Sequence, residues 1–144
     1  MARIVVFDSG FGSLSVIRPI QKAIKSDLIY YADQKNFPYG KKSKSQLTKI
    51  ITNRIKFLEE KFNPDLIVVG SNTPSLLVDI NKKNVIKVLP PIKMAAKISV
   101  TGNIAILATL AAVKSKKLSD FIKRNRLPKR INVKKIDASR LVQL

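Results

Sequence analysis

Three short polar segments hold the residue types that could do chemistry in this chain. The first is Asp8-Ser9-Gly10-Phe11-Gly12-Ser13, a carboxylate and a hydroxyl set among glycines. Glycine permits close backbone approach, and a helix that starts there offers free N–H groups to an anion. The segment is not a nucleotide-phosphate loop, because it lacks the Gly-Lys-Ser/Thr ending and does not complete G-x-G-x-x-G. The second is Phe37-Pro38-Tyr39-Gly40, a turn composition. The third is Ser71-Asn72-Thr73, where Asn72 can donate and accept and Thr73 can donate to a carboxylate. Each segment also has an ordinary structural reading. Ser9 or Ser13 can cap the helix that follows the first, and the residue types of the third are common N-caps.

The composition narrows the chemistry. The chain has no cysteine and no histidine. Disulfides, thiolate zinc sites and cysteine nucleophiles are excluded, and the usual general base and metal ligand are missing. No metal site is expected. The apolar run Ile4 to Phe7 is interrupted by Asp8 and is too short for a signal peptide. No stretch reaches the roughly 18 apolar residues of a membrane span. The expected setting is therefore soluble and cytoplasmic. Hydrophobic residues make up 45% of the 144 residues, enough for a packed core in one domain or one domain plus the start of another.

Strand and helix patterns alternate along the chain. Arg3–Phe7 is a short β-branched run of the kind buried on both faces of a parallel sheet. A helix over Leu14 to Lys25 should turn Leu14, Val16, Ile17, Ile20 and Ile24 toward one face. Asp27–Ala32, Leu66–Val69, Val85–Leu89, Ile104–Leu107 and Ile131–Ile136 read as further strands. Ser43 or Ser45 can cap a helix carrying Leu47, Ile50, Ile51, Ile55, Phe57 and Leu58, which ends near Asn63-Pro64. Shorter helices are expected over Ser75–Asn81 and after Pro90-Pro91. A basic helix is expected over Ala111–Arg126, and a loop or helix over Ser139–Leu144. This order predicts an α/β fold: a parallel sheet with right-handed crossovers and helices on both faces. Ligands of such sheets lie beyond the carboxyl ends of the strands. All three polar segments follow strands, so they should lie along one sheet edge and converge on one cleft. We expect a first subdomain over residues 1–100 carrying these loops, and the start of a second over 101–144, its C-terminal part missing.

Taken together, the three segments resemble the glutamate racemases, of the aspartate/glutamate racemase family. Phe7 to Val16 is close to that family's F-D-S-G-V-G-G-L-S-V. Phe37-Pro38-Tyr39-Gly40-Lys41-Lys42-Ser43 is close to F-P-Y-G-x-K-S, and Val68-Val69-Gly70-Ser71-Asn72-Thr73 is near V-A-C-N-T-A, with Ser71 at the cysteine. The likeness runs along essentially the whole chain. It implies a cofactor-independent enzyme of the isomerase class that inverts glutamate with two cysteines on opposite faces of the substrate. It also implies a role in cell-wall biogenesis. By position, Ser71 stands in for the first cysteine and Asp8 matches an acid that assists proton transfer. Ser9, Tyr39, Gly40, Asn72, Thr73 and Thr109 match substrate contacts. The ligand implied is a dicarboxylic amino acid, glutamate or aspartate.

Several departures accompany the likeness. A serine hydroxyl is a far weaker acid than a thiol of pKa about 8.5, and no histidine is present to activate it. The second cysteine and its histidine would fall beyond Leu144. Thr109-Leu110-Ala111-Ala112 keeps one hydroxyl of the family's Thr-x-x-Thr, Leu89-Pro90-Pro91-Ile92 replaces Glu-Pro-Gly, and Ser13 replaces a glycine. The expectation is a truncated or degenerate racemase, or a fragment, that is poorly active. The alternative is a non-catalytic carboxylate-binding module.

Charge suggests one more class of partner. The net charge is +19, with five basic and three acidic residues in 1–40, twelve and four in 41–100, and eleven and two in 101–144. Such an excess can attract nucleic acid, although most of the lysines read as solvated helix surface. A cleft with a single wall would also favour a homo-oligomer.

Overall fold

The computed structural model describes residues 1–142; Gln143 and Leu144, the end of the expected final loop or helix, lie outside the described residues. The chain divides into two compact units, Met1–Val88 and Leu89–Leu144.

The first unit runs β1 (Arg3–Asp8), α1 (Leu14–Ala23), β2 (Asp27–Ala32), α2 (Lys44–Phe62), β3 (Leu66–Val69), α3 (Asn72–Leu77) and β4 (Val85–Lys87). Its four strands form a parallel sheet in the order β2-β1-β3-β4. β1 is central: Ile4 pairs with Leu28 and Leu66, and Phe7 with Tyr31 and Val69. A strand with neighbours on both sides and helices above and below is buried throughout, and Val5, Val6 and Phe7 are fully buried. Successive side chains alternate between the faces. Ile4, Val6 and Val68 pack against Val16, Ile17 and Ile20 of α1. On the other face the Tyr31 ring meets Phe57 of α2 at 5.7 Å between centroids. Leu47, Ile51, Ile55 and Leu58 form the buried stripe of α2, each contributing about 1.5–3 kcal/mol by leaving water. Helices therefore cover both faces of a parallel sheet, as the sequence pattern predicts.

The start of α2 has a full capping box. Ser43 accepts from the Gln46 N–H at 3.2 Å, and the Gln46 side chain accepts from the Ser43 N–H at 2.9 Å. Replacing Ser43 by alanine should cost about 1 kcal/mol, readable as a lower urea midpoint with an unchanged m-value. The helix stops at Asn63, which takes the left-handed conformation that asparagine tolerates (φ 43°), just before Pro64.

The structure differs from the sequence pattern in several places. Leu14 and Ile24 do not join the apolar face of α1 and are about half exposed; Ile24 lies outside the helix, which closes at Ala23 and leaves Ile24 extended, and Leu14 is its first residue. α3 begins at Asn72, not Ser75, and ends at Leu77. Pro74 sits in its first turn, where backbone N–H groups have no intrahelical partner and proline costs least. β4 closes at Lys87, two residues early.

The second unit runs α4 (Ile92–Ile98), β5 (Asn103–Ala108), α5 (Leu110–Val113), α6 (Lys116–Arg124) and β6 (Asn132–Asp137), then a short turn of 3-10 helix over Ser139–Val142. β5 and β6 pair in parallel as a sheet of their own. The single basic helix expected over Ala111–Arg126 is broken at Ser115. Its hydroxyl donates to the Ala112 carbonyl at 2.7 Å and accepts from the Leu118 N–H at 3.1 Å, ending one helix and capping the next. A serine hydroxyl offers the backbone this alternative to helical bonds.

Candidate functional site

The carboxyl end of β1 is the anchor of the site. Asp8 closes the strand and is buried with Ser9. The Ser9 N–H donates to Asp8 Oδ1 at 2.6 Å, which fixes the carboxylate. A side chain on Gly12 would touch Asp8 Oδ2 at 3.5 Å, so glycine there leaves that oxygen uncovered.

The loop after β2 is tied to this end. The Asp33 N–H donates to the Asp8 carbonyl at 2.7 Å. The Tyr39 N–H donates to Ser9 Oγ at 3.4 Å, and the Tyr30 hydroxyl donates to the Gly10 carbonyl. The loop after β3 is tied to the same end: the Gly70 N–H, one residue before Ser71, donates to the Phe7 carbonyl at 2.9 Å. Three strand-end loops therefore meet at one corner of the first unit, as their positions after parallel strands predict.

Two of the ordinary capping readings do not hold. Ser13 and Ser71 occupy the N-cap positions of α1 and α3, yet neither side chain accepts a capping hydrogen bond. Ser9 Oγ serves the loop after β2 and not α1. Within α3 the Ser75 hydroxyl donates to the Val69 carbonyl at 3.1 Å. The Ser71 hydroxyl is thus left half-buried at the corner, beside an exposed Asn72 and a buried Thr73.

Tyr39 behaves differently from the expectation placed on it. Its side chain is buried and its hydroxyl donates to Asp33 Oδ2 at 2.9 Å. The phenol is consumed by the fold, the Tyr39 N–H is bonded to Ser9 Oγ and its carbonyl accepts from the Lys42 N–H at 3.1 Å, so what this turn holds out to a ligand is the backbone of Gly40. Burial, and then the Asp33 carboxylate, push the phenol far above its usual value of 10. The unfolded chain releases that proton near pH 10 and the folded chain does not, so stability falls as pH rises past about 10. Tyr39→Phe should flatten that alkaline fall in urea titrations at pH 9 to 11; an unchanged slope would contradict the buried phenol.

Two residues here escaped the sequence reading. Asp33, almost fully buried, accepts from Tyr39, from Asn36 Nδ2 at 2.8 and 3.0 Å, and from Arg54 Nη2 at 2.8 Å. Arg54 also donates to the Tyr31 hydroxyl at 2.9 Å and lies over the Tyr31 and Phe57 rings. The available signal was a cation at position 54, at helical spacing among the apolar positions 47, 51, 55 and 58. Thr109 belongs to the second unit, where it is buried and precedes α5. The corner formed by the loops holds Asp8, Ser9, Tyr39, Gly40, Ser71, Asn72 and Thr73.

Gly70 explains a neighbouring substitution. A Cβ at Gly70 would lie 2.2 Å from Ser13 Cβ and 2.9 Å from its Oγ. The motifs of the resembling family place glycine at 13 and alanine at 70; here the extra carbon sits on the other partner. Among the described residues no group of three histidine, cysteine, aspartate or glutamate side chains could hold a metal ion. No described helix is long and apolar enough to cross a membrane.

Comparison with known proteins follows the same line. No family model matches the chain. Glutamate racemase of Campylobacter curvus is 32% identical over 133 residues, covering 85% of this chain and 50% of that protein. The Aliivibrio fischeri enzyme is 39% identical over 126 residues, covering 83% and 47%. The chain thus spans about half the length of the curated relatives it matches. Among solved structures, Escherichia coli glutamate racemase in complex with L-glutamate and the activator UDP-MurNAc-Ala superposes with a TM-score of 0.83 at 27% identity, covering 99% of this chain and 55% of that one. The Aquifex pyrophilus glutamate racemase gives 0.74 at 30% identity, covering 92% and 54%. By sequence and by fold, the chain belongs to the glutamate racemase family, corresponding to its N-terminal portion.

Proposed function

We propose that the first unit binds glutamate, or the shorter aspartate, at the corner where the loops after β1, β2 and β3 meet. The observation that carries this reading is the meeting of those loops with the Ser71 hydroxyl left uncommitted. The Asp8 carboxylate is held at one edge, and the Asn72 side chain is exposed at the other. Two family structures support the ligand class, one solved with L-glutamate and one, from Francisella tularensis, with D-glutamate. A cytoplasmic enzyme of amino-acid metabolism that serves cell-wall synthesis is the setting that goes with this ligand.

Racemisation requires a base on one face of the α-carbon and an acid on the other. In this chain the position matching the first acid/base group is Ser71, and neither a thiol nor a histidine is available to take the proton. The ligand is therefore held without exchange of its α-proton at enzymatic rates. Calorimetry should detect binding of L- or D-glutamate at millimolar ligand, while NMR in D₂O should show no deuterium entering the α-carbon. Absence of heat from either enantiomer would discard the binding reading. Deuteration by the unaltered chain would show that chemistry is retained.

A second reading rests on charge. Residues 89–144 carry thirteen basic and two acidic side chains, and Phe121 is their one aromatic. Phosphate neutralisation would then dominate, with little stacking on bases. Binding to duplex DNA should weaken steeply between 50 and 200 mM salt; binding that ignores salt, or none at all, would remove this reading.

A further inference from the structure

We propose that Asp33 is the positioning residue of the ligand-binding corner: one buried side chain fixes the Tyr39–Gly40 turn against the end of β1. The inference rests on the binding reading above and names the residue on which its geometry depends.

Asp33 is the point at which four elements are joined. Its N–H holds the Asp8 carbonyl at 2.7 Å, which sets it at the end of β1. Oδ2 accepts from the Tyr39 hydroxyl at 2.9 Å, which draws the turn inward. Oδ1 accepts from Arg54 of α2 at 2.8 Å. Asn36, from the same loop, donates to both oxygens. Arg54 is held in turn by the Tyr31 hydroxyl and by the Tyr31 and Phe57 rings, with carbon-to-centroid distances of 5.1 and 5.3 Å. Asp33 is almost fully buried and Arg54 part-buried, so the carboxylate without its partner would be an uncompensated buried charge, and this constrains the geometry. The backbone of the turn can meet a ligand carboxylate only if the Tyr39 ring stays seated. Asp33 touches no ligand itself and acts through Tyr39 and through the strand end beside it.

The test uses the full chain and three variants: Asp33→Asn, Tyr39→Phe, and Ile55→Val as a core control in α2. Asp33→Asn should raise the Kd for glutamate at least tenfold. It should also speed hydrogen exchange of the Tyr39 and Lys42 amides at least tenfold, while amides of β1 and β3 hold their protection. Tyr39→Phe, which removes only the hydroxyl anchor, should give about threefold in both readouts. Ile55→Val should lower the urea midpoint and leave the Kd and the turn amides unchanged. Unchanged turn amides in Asp33→Asn, or a loss spread equally over β1 and β3, would overturn the proposal. If Asp33→Asn does not fold, unchanged exchange in Tyr39→Phe overturns it instead. Should the unaltered chain bind no glutamate, the binding reading fails, and the exchange measurements still decide the role of Asp33.

Discussion

Gly70→Ala should lose about 2–3 kcal/mol of folding stability, and adding Ser13→Gly to the same chain should return most of it. The added methyl would stand 2.2 Å from Ser13 Cβ, a separation that packed side chains do not adopt. Ser13 is itself fully buried at the N-cap position of α1, so it has no room to retreat. The backbone at 70 is also pinned, since its N–H bonds to the Phe7 carbonyl at 2.9 Å. Something must shift, and the nearest movable parts are the start of α1 and the turn before Ser71. Removing Ser13 Cβ vacates the space the alanine needs, so the double variant conserves volume across the contact. Four urea titrations (the unaltered chain, each single variant and the pair) measure the coupling. Additive losses would mean that the two loops are not in contact, and the corner would lose one of its three sides.

Ser71→Cys should raise α-proton exchange of bound glutamate by about 10²–10⁴-fold over the unaltered protein. The backbone at 71 is extended, at φ −90° and ψ 129°, and its side chain makes no capping bond. A thiol can therefore replace the hydroxyl without breaking an interaction of the fold. A thiol near pKa 8.5 supplies a fraction of thiolate at neutral pH, whereas a hydroxyl with no histidine beside it supplies almost none. With one base on one face, deuterium should enter the α-carbon of a single enantiomer, and the configuration should be kept. Exchange measured in D₂O by proton NMR tests this directly. A well-folded Ser71→Cys chain that binds glutamate and exchanges nothing would remove position 71 from the reacting face.

Much of this organisation can be read from the sequence, for physical reasons. Ile4 to Phe7 is unbroken because β1 is covered on both sides, and a strand of that kind has no polar face to show. The apolar spacing of α2 and its Ser43 cap are local patterns, and both are present in the fold. The meeting of the three loops follows from parallel topology alone. What the sequence hides is long-range or competitive. The partnership of Asp33 with Arg54 spans 21 residues, and nothing near either residue announces the other. Tyr39 matches a substrate contact by position, yet its hydroxyl is taken by a buried carboxylate that only folding brings near. The break at Ser115 lies inside a helical pattern because a single hydroxyl outcompetes the helix there. The early start of α3 turns on Pro74 falling where no N–H is required.

The most direct measurement is a titration of the ¹⁵N-labelled chain with L-glutamate, followed amide by amide. Ser9, Gly10, Gly40, Ser71, Asn72 and Thr73 should shift together along one saturable curve, with the surface of α2 unmoved. Shifts confined to the lysine-rich surface, or shifts at only one of the three loops, would contradict a shared carboxylate site at the ends of β1, β2 and β3.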